Sequence, residues 1–220
     1  MWRPNNITFK ENCYDNYIFS GSYNCSFDHD VYCNIIGHAF MNNTFGNNIW
    51  YNSFGNGVGN NTFGNSIHDN SFGNYITQNS FGNEIRYDTF GNYIYLNTFG
   101  NSIHDNSFGN GVGNNTFGNE IYENTFGNDI WSNTFGNEIY ENTFGNEIYR
   151  NTFGNDFRYN TVENHMVYAI LADYIWHAKF LSGLSFDSAT NITGIFTSVS
   201  YCQYVGKNSA GQVIIKNPMD

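Results

Sequence analysis

Positive charge is what this chain has least of. Its 220 residues hold only eight Lys and Arg against nineteen Asp and Glu, a formal net charge of -11. Binding nucleic acid requires cationic side chains to neutralise phosphates. Here the few cations are scattered and form no stripe, so no nucleic-acid partner is expected. Charged residues of both signs make up just 12% of the chain. So sparse a charge would suit a disordered, low-complexity segment, but 19% of the residues are aromatic and the apolar positions are strictly periodic. The chain reads as ordered. Long apolar runs are missing too. The longest, Met166 to Ala172, is far short of the ~20 residues that span a bilayer, and Met1-Trp2-Arg3-Pro4-Asn5-Asn6 has no apolar signal core. No membrane insertion is expected. The four cysteines, Cys13, Cys25, Cys33 and Cys202, form neither a CxxC pair nor a zinc spacing. Packed thiols are the preferred reading, with a disulfide between two N-terminal members left open.

What is present is a nine-residue repeat, Asn-Thr/Ser-Phe-Gly-Asn-x-Ile-x-x, from Asn43 to about Tyr168. Thirteen copies carry an unbroken Thr/Ser-Phe-Gly-Asn, from Thr44 to Asn155, with no insertion or deletion. A short fixed period dictates a solenoid or array. Counting back in nines from Phe45 meets Ile36, Phe27, Ile18 and Phe9. Counting back from Ile49 meets Phe40, Val31, Ser22 and Cys13. The register therefore reaches about Ile7, with degenerate coils over 7–42 and an edge at 1–6. A helix would not tolerate Gly and two Asn in every nine residues, with each Gly costing about 1 kcal/mol against Ala. Nine residues are also too few for a strand and a turn in repeated hairpins. An all-β fold, a β-solenoid, fits: short strands point Phe and Ile inward, and Gly and Asn make corners of left-handed backbone.

Exact internal copies set the coil length. Asn119–Asn128 recurs at Asn137–Asn146, Asn65–Asn74 at Asn101–Asn110, and Asn52–Asn65 at Asn106–Asn119. By subtraction these shifts are two, four and six nonapeptides. All are multiples of 18, so if duplication copies whole coils, a coil is two nonapeptides. Stacked Phe and Ile ladders and hydrogen-bonded Asn columns follow from identical residues one above another. Between a four-sided cross-section and a flattened two-sided roll, the alternating four- and five-residue spacing of Phe and Ile favours the first. Three regions result: 1–42, an N-terminal edge and degenerate coils; 43–168, the nonapeptide solenoid; and 169–220, a β-rich C-terminal cap or oligomerisation segment. Tyr168–Leu181 reads as an amphipathic helix ending at Gly183 or, the preferred reading given its Tyr, Ile, Trp and Phe, as a strand; 191–205 reads as β, with a final hairpin turning at Lys207–Gly211.

The frame leaves three positions variable, the residue before Ile and the two after it. With two nonapeptides per coil, alternate copies fall on two sides. One side shows Trp50, His68, Arg86, His104, Tyr122, Tyr140 and Arg158; the other shows Gly59, Thr77, Tyr95, Gly113, Trp131, Tyr149 and Val167. An invariant frame with variable aromatic columns suits a ligand-reading surface, since Tyr and Trp offer rigid, amphipathic contact area. Tyr95, Tyr122, Trp131, Tyr140 and Tyr149 are the candidate binding residues. High β propensity also favours Tyr and Trp. Glu120 and Glu138 lie one coil apart, about 5 Å, a spacing shared by retaining glycosidases and cation sites. With no substrate cleft in view, solvated charge is the preferred reading. Ser71 and Ser107, beside His68-Asp69 and His104-Asp105, occupy the Thr position of the frame and are structural. The repeat lacks the second Gly and the recurring Asp of calcium β-rolls. No catalytic residue, no cofactor and no obligatory metal is expected.

Runs such as Asn97-Thr98-Phe99-Gly100-Asn101, with the ending Tyr204-Val205-Gly206-Lys207-Asn208-Ser209-Ala210-Gly211-Gln212, resemble repeat regions of tail-fibre-like proteins encoded by phages and prophages of gut bacteria. The resemblance covers 43–168 and the last twenty residues. It implies a non-enzymatic receptor-binding protein of the virion tail or cell surface, often trimeric, that contacts a bacterial surface glycan or protein. Relatives often carry Cys where this chain has Ile. Two other classes remain: a self-assembling filament or spacer whose solenoids stack end to end, and a polysaccharide-degrading β-helix enzyme.

Overall fold

The structure, a computed structural model, describes residues 5–163, 166–167, 174–176, 178–180 and 198–200. They form no helix. Two-residue strands alternate with corners, and each strand of the array pairs in parallel with its equivalent two nonapeptides away, as in Ser71↔Thr89 and Ile85↔Ile103. The outcome is a four-sided parallel β-solenoid whose coil is two nonapeptides, with a parallel sheet on each side.

Two sides are built on Phe. Phe face 1 runs from Thr8–Phe9 to Thr152–Phe153, and Phe face 2 from Tyr17–Ile18 through Ser53–Phe54 to Lys179–Phe180. Two are built on Ile. Ile face 1 runs from Cys13–Tyr14 through Ile67–His68 to Phe157–Arg158 and on to Tyr174–Trp176 and Ser198–Ser200. Ile face 2 runs from Phe40–Met41 through Val58–Gly59 to Met166–Val167. Along the chain they follow in the order Phe face 1, Ile face 1, Phe face 2, Ile face 2, so like faces lie opposite.

The inward columns make one continuous core. Phe81 stacks on Phe99 within its face, centroids 4.8 Å apart, and meets Phe90 of the opposite face edge-on at 5.4 Å. Edge-to-face contact suits the ring quadrupole. The degenerate coils keep the register. Ile18, Phe27, Val31, Ile36, Phe40 and even Ser22 are buried, and Ile7 and Phe9 pack against the core. Pairing also crosses the boundary that the sequence motif sets at 168: Phe157 pairs with Ile175 and Val162 with Phe180, both at the same two-nonapeptide step. Ser198–Ser200 then pairs with Tyr174–Trp176. The expected hairpin at 207–216 and Cys202 lie outside the described residues. Cys13 and Cys25 are buried thiols and Cys33 is an exposed one.

The corners differ from the sequence expectation. Left-handed backbone falls on the variable residues, not on the frame Gly and Asn. The residue before Ile and the second residue after it carry positive φ, as in Glu84 (58°) and Tyr87 (56°). Each nonapeptide so has two left-handed corners, one at either end of its Ile strand, and four close the coil. The frame Gly is required for another reason. A Cβ on Gly109 would stand 2.6 Å from the carbonyl oxygen of Gly91 and 2.7 Å from Asn92 Oδ1 in the coil below. No side chain fits where the coils approach so closely.

Both frame Asn residues form ladders. The Asn before Thr/Ser is buried: Asn97 Nδ2 donates to Ile76 O at 2.8 Å and to Asn115 Oδ1 at 3.1 Å, and its backbone N–H donates to the same Oδ1 at 2.9 Å. This satisfies corner groups that would otherwise be buried without partners. The Asn after Gly is at the surface and runs the other way: Asn119 N–H donates back to Asn101 Oδ1 at 2.8 Å.

Candidate functional site

The candidate binding residues fall on opposite faces. Tyr95, Trp131 and Tyr149 lie on Ile face 2, and Tyr122 and Tyr140 on Ile face 1. The structure therefore makes two groups of them.

On Ile face 2 the strand between Ile94–Tyr95 and Ile130–Trp131 is Val112–Gly113. With no side chain at Gly113, the ring of Trp131 folds down over it, and a Cβ there would stand 2.5 Å from Trp131 Cε2. Trp131 so reaches Tyr95, two coils below, with centroids 5.6 Å apart and planes tilted by 51°. At the adjoining corner Gly111 (φ +69°) also lacks a side chain, with Tyr93 and the Tyr95 hydroxyl beside it. The two glycines open a notch of about 620 Å³ lined by Tyr93, Tyr95, Trp131, Asp129 and three asparagines, Asn92, Asn110 and Asn128. Those asparagines belong to the outer ladder. Their Oδ1 atoms accept backbone N–H groups from the coil above, while their Nδ2 groups donate to no described residue and remain available to a ligand. Tyr93 stacks in turn on Tyr75, 5.0 Å away with planes 5° apart. Tyr149 lies one coil beyond Trp131 and carries the Arg150 guanidinium 4.9 Å above its ring, so it belongs to the edge of this surface. Tyr93, Asn92, Asn110 and Asn128 were not singled out by sequence, and Asp129 stood out only as one of several acidic residues. Their signal was Gly57-Val58-Gly59 and Gly111-Val112-Gly113, where glycine enters the variable positions.

On Ile face 1 the column is more polar. His104 meets Tyr122 edge-on at 4.8 Å, and Tyr122 meets Tyr140 at 5.9 Å. Tyr122 Oη donates to Glu138 Oε2 at 3.1 Å. Burial, and then this bond to a carboxylate, push the Tyr122 phenol up. His68 and His104 are both held below the usual imidazole value, first by burial and then by Arg86 between them. Arg86 Nε is itself buried with no hydrogen-bond partner. The carboxylates that suggested a hydrolytic pair are occupied by neighbours: Glu120 accepts from Ser102 and Glu138 from Tyr122. Asp156 pairs with Arg158. Among the described residues no three His, Cys, Asp or Glu side chains group closely enough to hold a metal ion.

The fold and this surface define a class, a four-sided parallel β-solenoid with an aromatic, amide-lined notch on one Ile face. No family model, no curated protein and no solved structure matches the chain.

Proposed function

We propose that the protein is a non-enzymatic binding rod, a receptor-binding element of a virion tail or cell surface, and that the notch on Ile face 2 takes a saccharide of a bacterial surface glycan. The observation that carries this reading is the meeting of Tyr95 and Trp131 across Gly113. Sugar rings present apolar C–H faces to such aromatic surfaces and hydroxyls to the amides around them. The mix of aromatic walls and a few convergent polar groups is that of small-ligand sites. Asn92, Asn110 and Asn128 supply donors, and the Asp129 carboxylate supplies an acceptor. Titration calorimetry with purified surface polysaccharide tests it. Trp131→Ala should weaken binding at least tenfold, while Tyr51→Ala, which removes an exposed ring elsewhere, should leave it unchanged. Equal binding by Trp131→Ala and the parent protein would sink the proposal.

The filament reading has its own support. Among the described residues Cys13–Tyr14 and Tyr17–Ile18 are the outermost strands of their sheets at the N-terminal end, and a strand edge left without a partner pairs readily with another copy. Fibres lengthening with concentration under electron microscopy would favour it; discrete particles at every concentration would count against it.

A further inference from the structure

The inner Asn column runs through Asn43, Asn52, Asn61, Asn70 and Asn79 below residue 88 and from Asn97 to Asn160 above it, with one exception, Asp88. Asp88 is 1% exposed, as deeply buried as its neighbours. One of its oxygens behaves as the Asn carbonyl does: Oδ1 accepts from the Asn70 backbone N–H at 2.6 Å and from Asn70 Nδ2 at 2.9 Å. Its backbone N–H donates to Asn106 Oδ1 at 2.9 Å, again as the ladder requires. The other oxygen stands where every Asn has its NH₂. That NH₂ donates to a backbone carbonyl in the coil below and to the Asn Oδ1 of the coil above, as Asn79 does to Val58 O and Asn97 Oδ1. For residue 88 the same two places are held by Ile67 O and Asn106 Oδ1, both acceptors. Asp88 Oδ2 accordingly has no hydrogen-bond partner.

A carboxylate there would turn a full negative charge towards two acceptor oxygens in a buried site. A carboxylic acid would not. Protonated on Oδ2, Asp88 has the same heavy-atom shape as Asn and a donor in the same place, although its single O–H serves one of the two acceptors where the Asn NH₂ serves both. We infer that Asp88 sits in the rod as the neutral acid, donating through Oδ2–H in place of an Asn amide, and that its ionisation breaks the ladder at this one coil. The rod then has a pH-sensitive joint on the same coil as Tyr93 and Tyr95 of the notch, just ahead of Thr89–Phe90. The groups facing Asp88 agree with this. Burial raises its affinity for the proton, as does the Asp69 carboxylate in the coil below, and the two donations from Asn70 oppose them in part.

A carboxyl whose folded-state pKa lies above its unfolded value gives stability that is fully present below the unfolded value, about 3.9. That stability is lost as pH rises towards the folded one, because folding must take up a proton. The test is Asp88→Asn, which restores the repeat and poses no obstacle to folding. Thermal unfolding by circular dichroism from about pH 4 upward should show the variant gaining on the parent as pH rises, with the difference smallest at the acid end. In infrared spectra the parent should show a protonated carboxylic-acid C=O band at neutral pH that the variant lacks. Installing Asn142→Asp in the Asp88→Asn background should bring both signatures back. A difference between parent and Asp88→Asn that is constant with pH, or absence of the acid band, overturns the inference.

Discussion

Asn97 Nδ2 donates to Asn115 Oδ1 at 3.1 Å, while at the surface of the same coils Asn119 N–H donates to Asn101 Oδ1 at 2.8 Å. The inner ladder hands its hydrogen bonds forward along the chain and the outer ladder hands them back. The two asparagines of one repeat are therefore unequal. Asn115→Ala strips the acceptor from the Asn97 N–H and one from Asn97 Nδ2, the side-chain donor from Ile94 O, and one of two donors from Asn133 Oδ1, which keeps the backbone N–H of residue 115, all buried. With about 1–3 kcal/mol for a buried group left unpaired, a loss of roughly 3–5 kcal/mol is expected. Asn119→Ala removes one acceptor from an exposed backbone N–H and should cost about 1 kcal/mol. Denaturant unfolding of the two variants checks the ranking; equal losses would refute it.

Phe99 tests the core. It is 1% exposed, stacked between Phe81 and Phe117 at 4.8 Å and met edge-on by Phe90 and Phe108 at 5.3 Å. Phe99→Ala should cost about 3–5 kcal/mol. In an array whose coils touch only their neighbours, the damage should stay local. Hydrogen exchange should therefore accelerate in the coils around residue 99 and change little near residue 45.

Backbone demands are separable by paired substitutions. Gly109→Ala drives a methyl group into the carbonyl of Gly91 and should destabilise by several kcal/mol. Leu96→Gly does the reverse. Leu96 is exposed and holds φ at 58°, where an L-residue loses roughly 1–2 kcal/mol and glycine does not. Allowing for the greater entropy of glycine in the unfolded chain, Leu96→Gly should be neutral or stabilising by up to about 1 kcal/mol. A clear destabilisation would show that the Leu96 side chain carries contacts that outweigh its backbone.

His68 and His104 share Arg86. Ring C–H titrations by NMR should place both imidazoles below the ordinary value of about 6.5. Arg86→Gln should raise both together, though not fully, since burial is the larger cause. A depressed folded-state pKa gives stability that is present above the unfolded value and lost as pH falls through the folded one. These histidines thus weaken the rod on acidification, whereas Asp88 weakens it as pH rises.

The period carried most of the fold. Phe and Ile at alternating spacings of four and five, and copies at multiples of 18, were enough for a four-sided coil of two nonapeptides. The corners were misassigned for a physical reason. Glycine suggested a left-handed residue, but it serves close approach between coils, and the left-handed angles fall on Tyr, Glu and Asp, whose composition gives no such hint. The aromatic columns were legible; the notch was not. It depends on an absence, Gly113, that lets Trp131 reach Tyr95 across a coil. Asp88 was legible only as one letter out of place, and its meaning required the ladder's bond directions.

The two-nonapeptide coil makes this molecule a graduated ruler. Removing or adding a pair of nonapeptides shifts everything above by one mark, about 4.8 Å, and leaves every face aligned. Removing a single nonapeptide would turn the upper part half a revolution against the lower, putting the Tyr122 column beneath the Trp131 column and setting the inner Asn of one Phe face under that of the other. The frame would accept this, since both Phe faces carry an inner and an outer Asn ladder. The surface would not, because whatever reads the rod reads one side of it. Length can therefore change freely between relatives of such a rod only in whole marks, and a gain or loss of half a mark is a change of address.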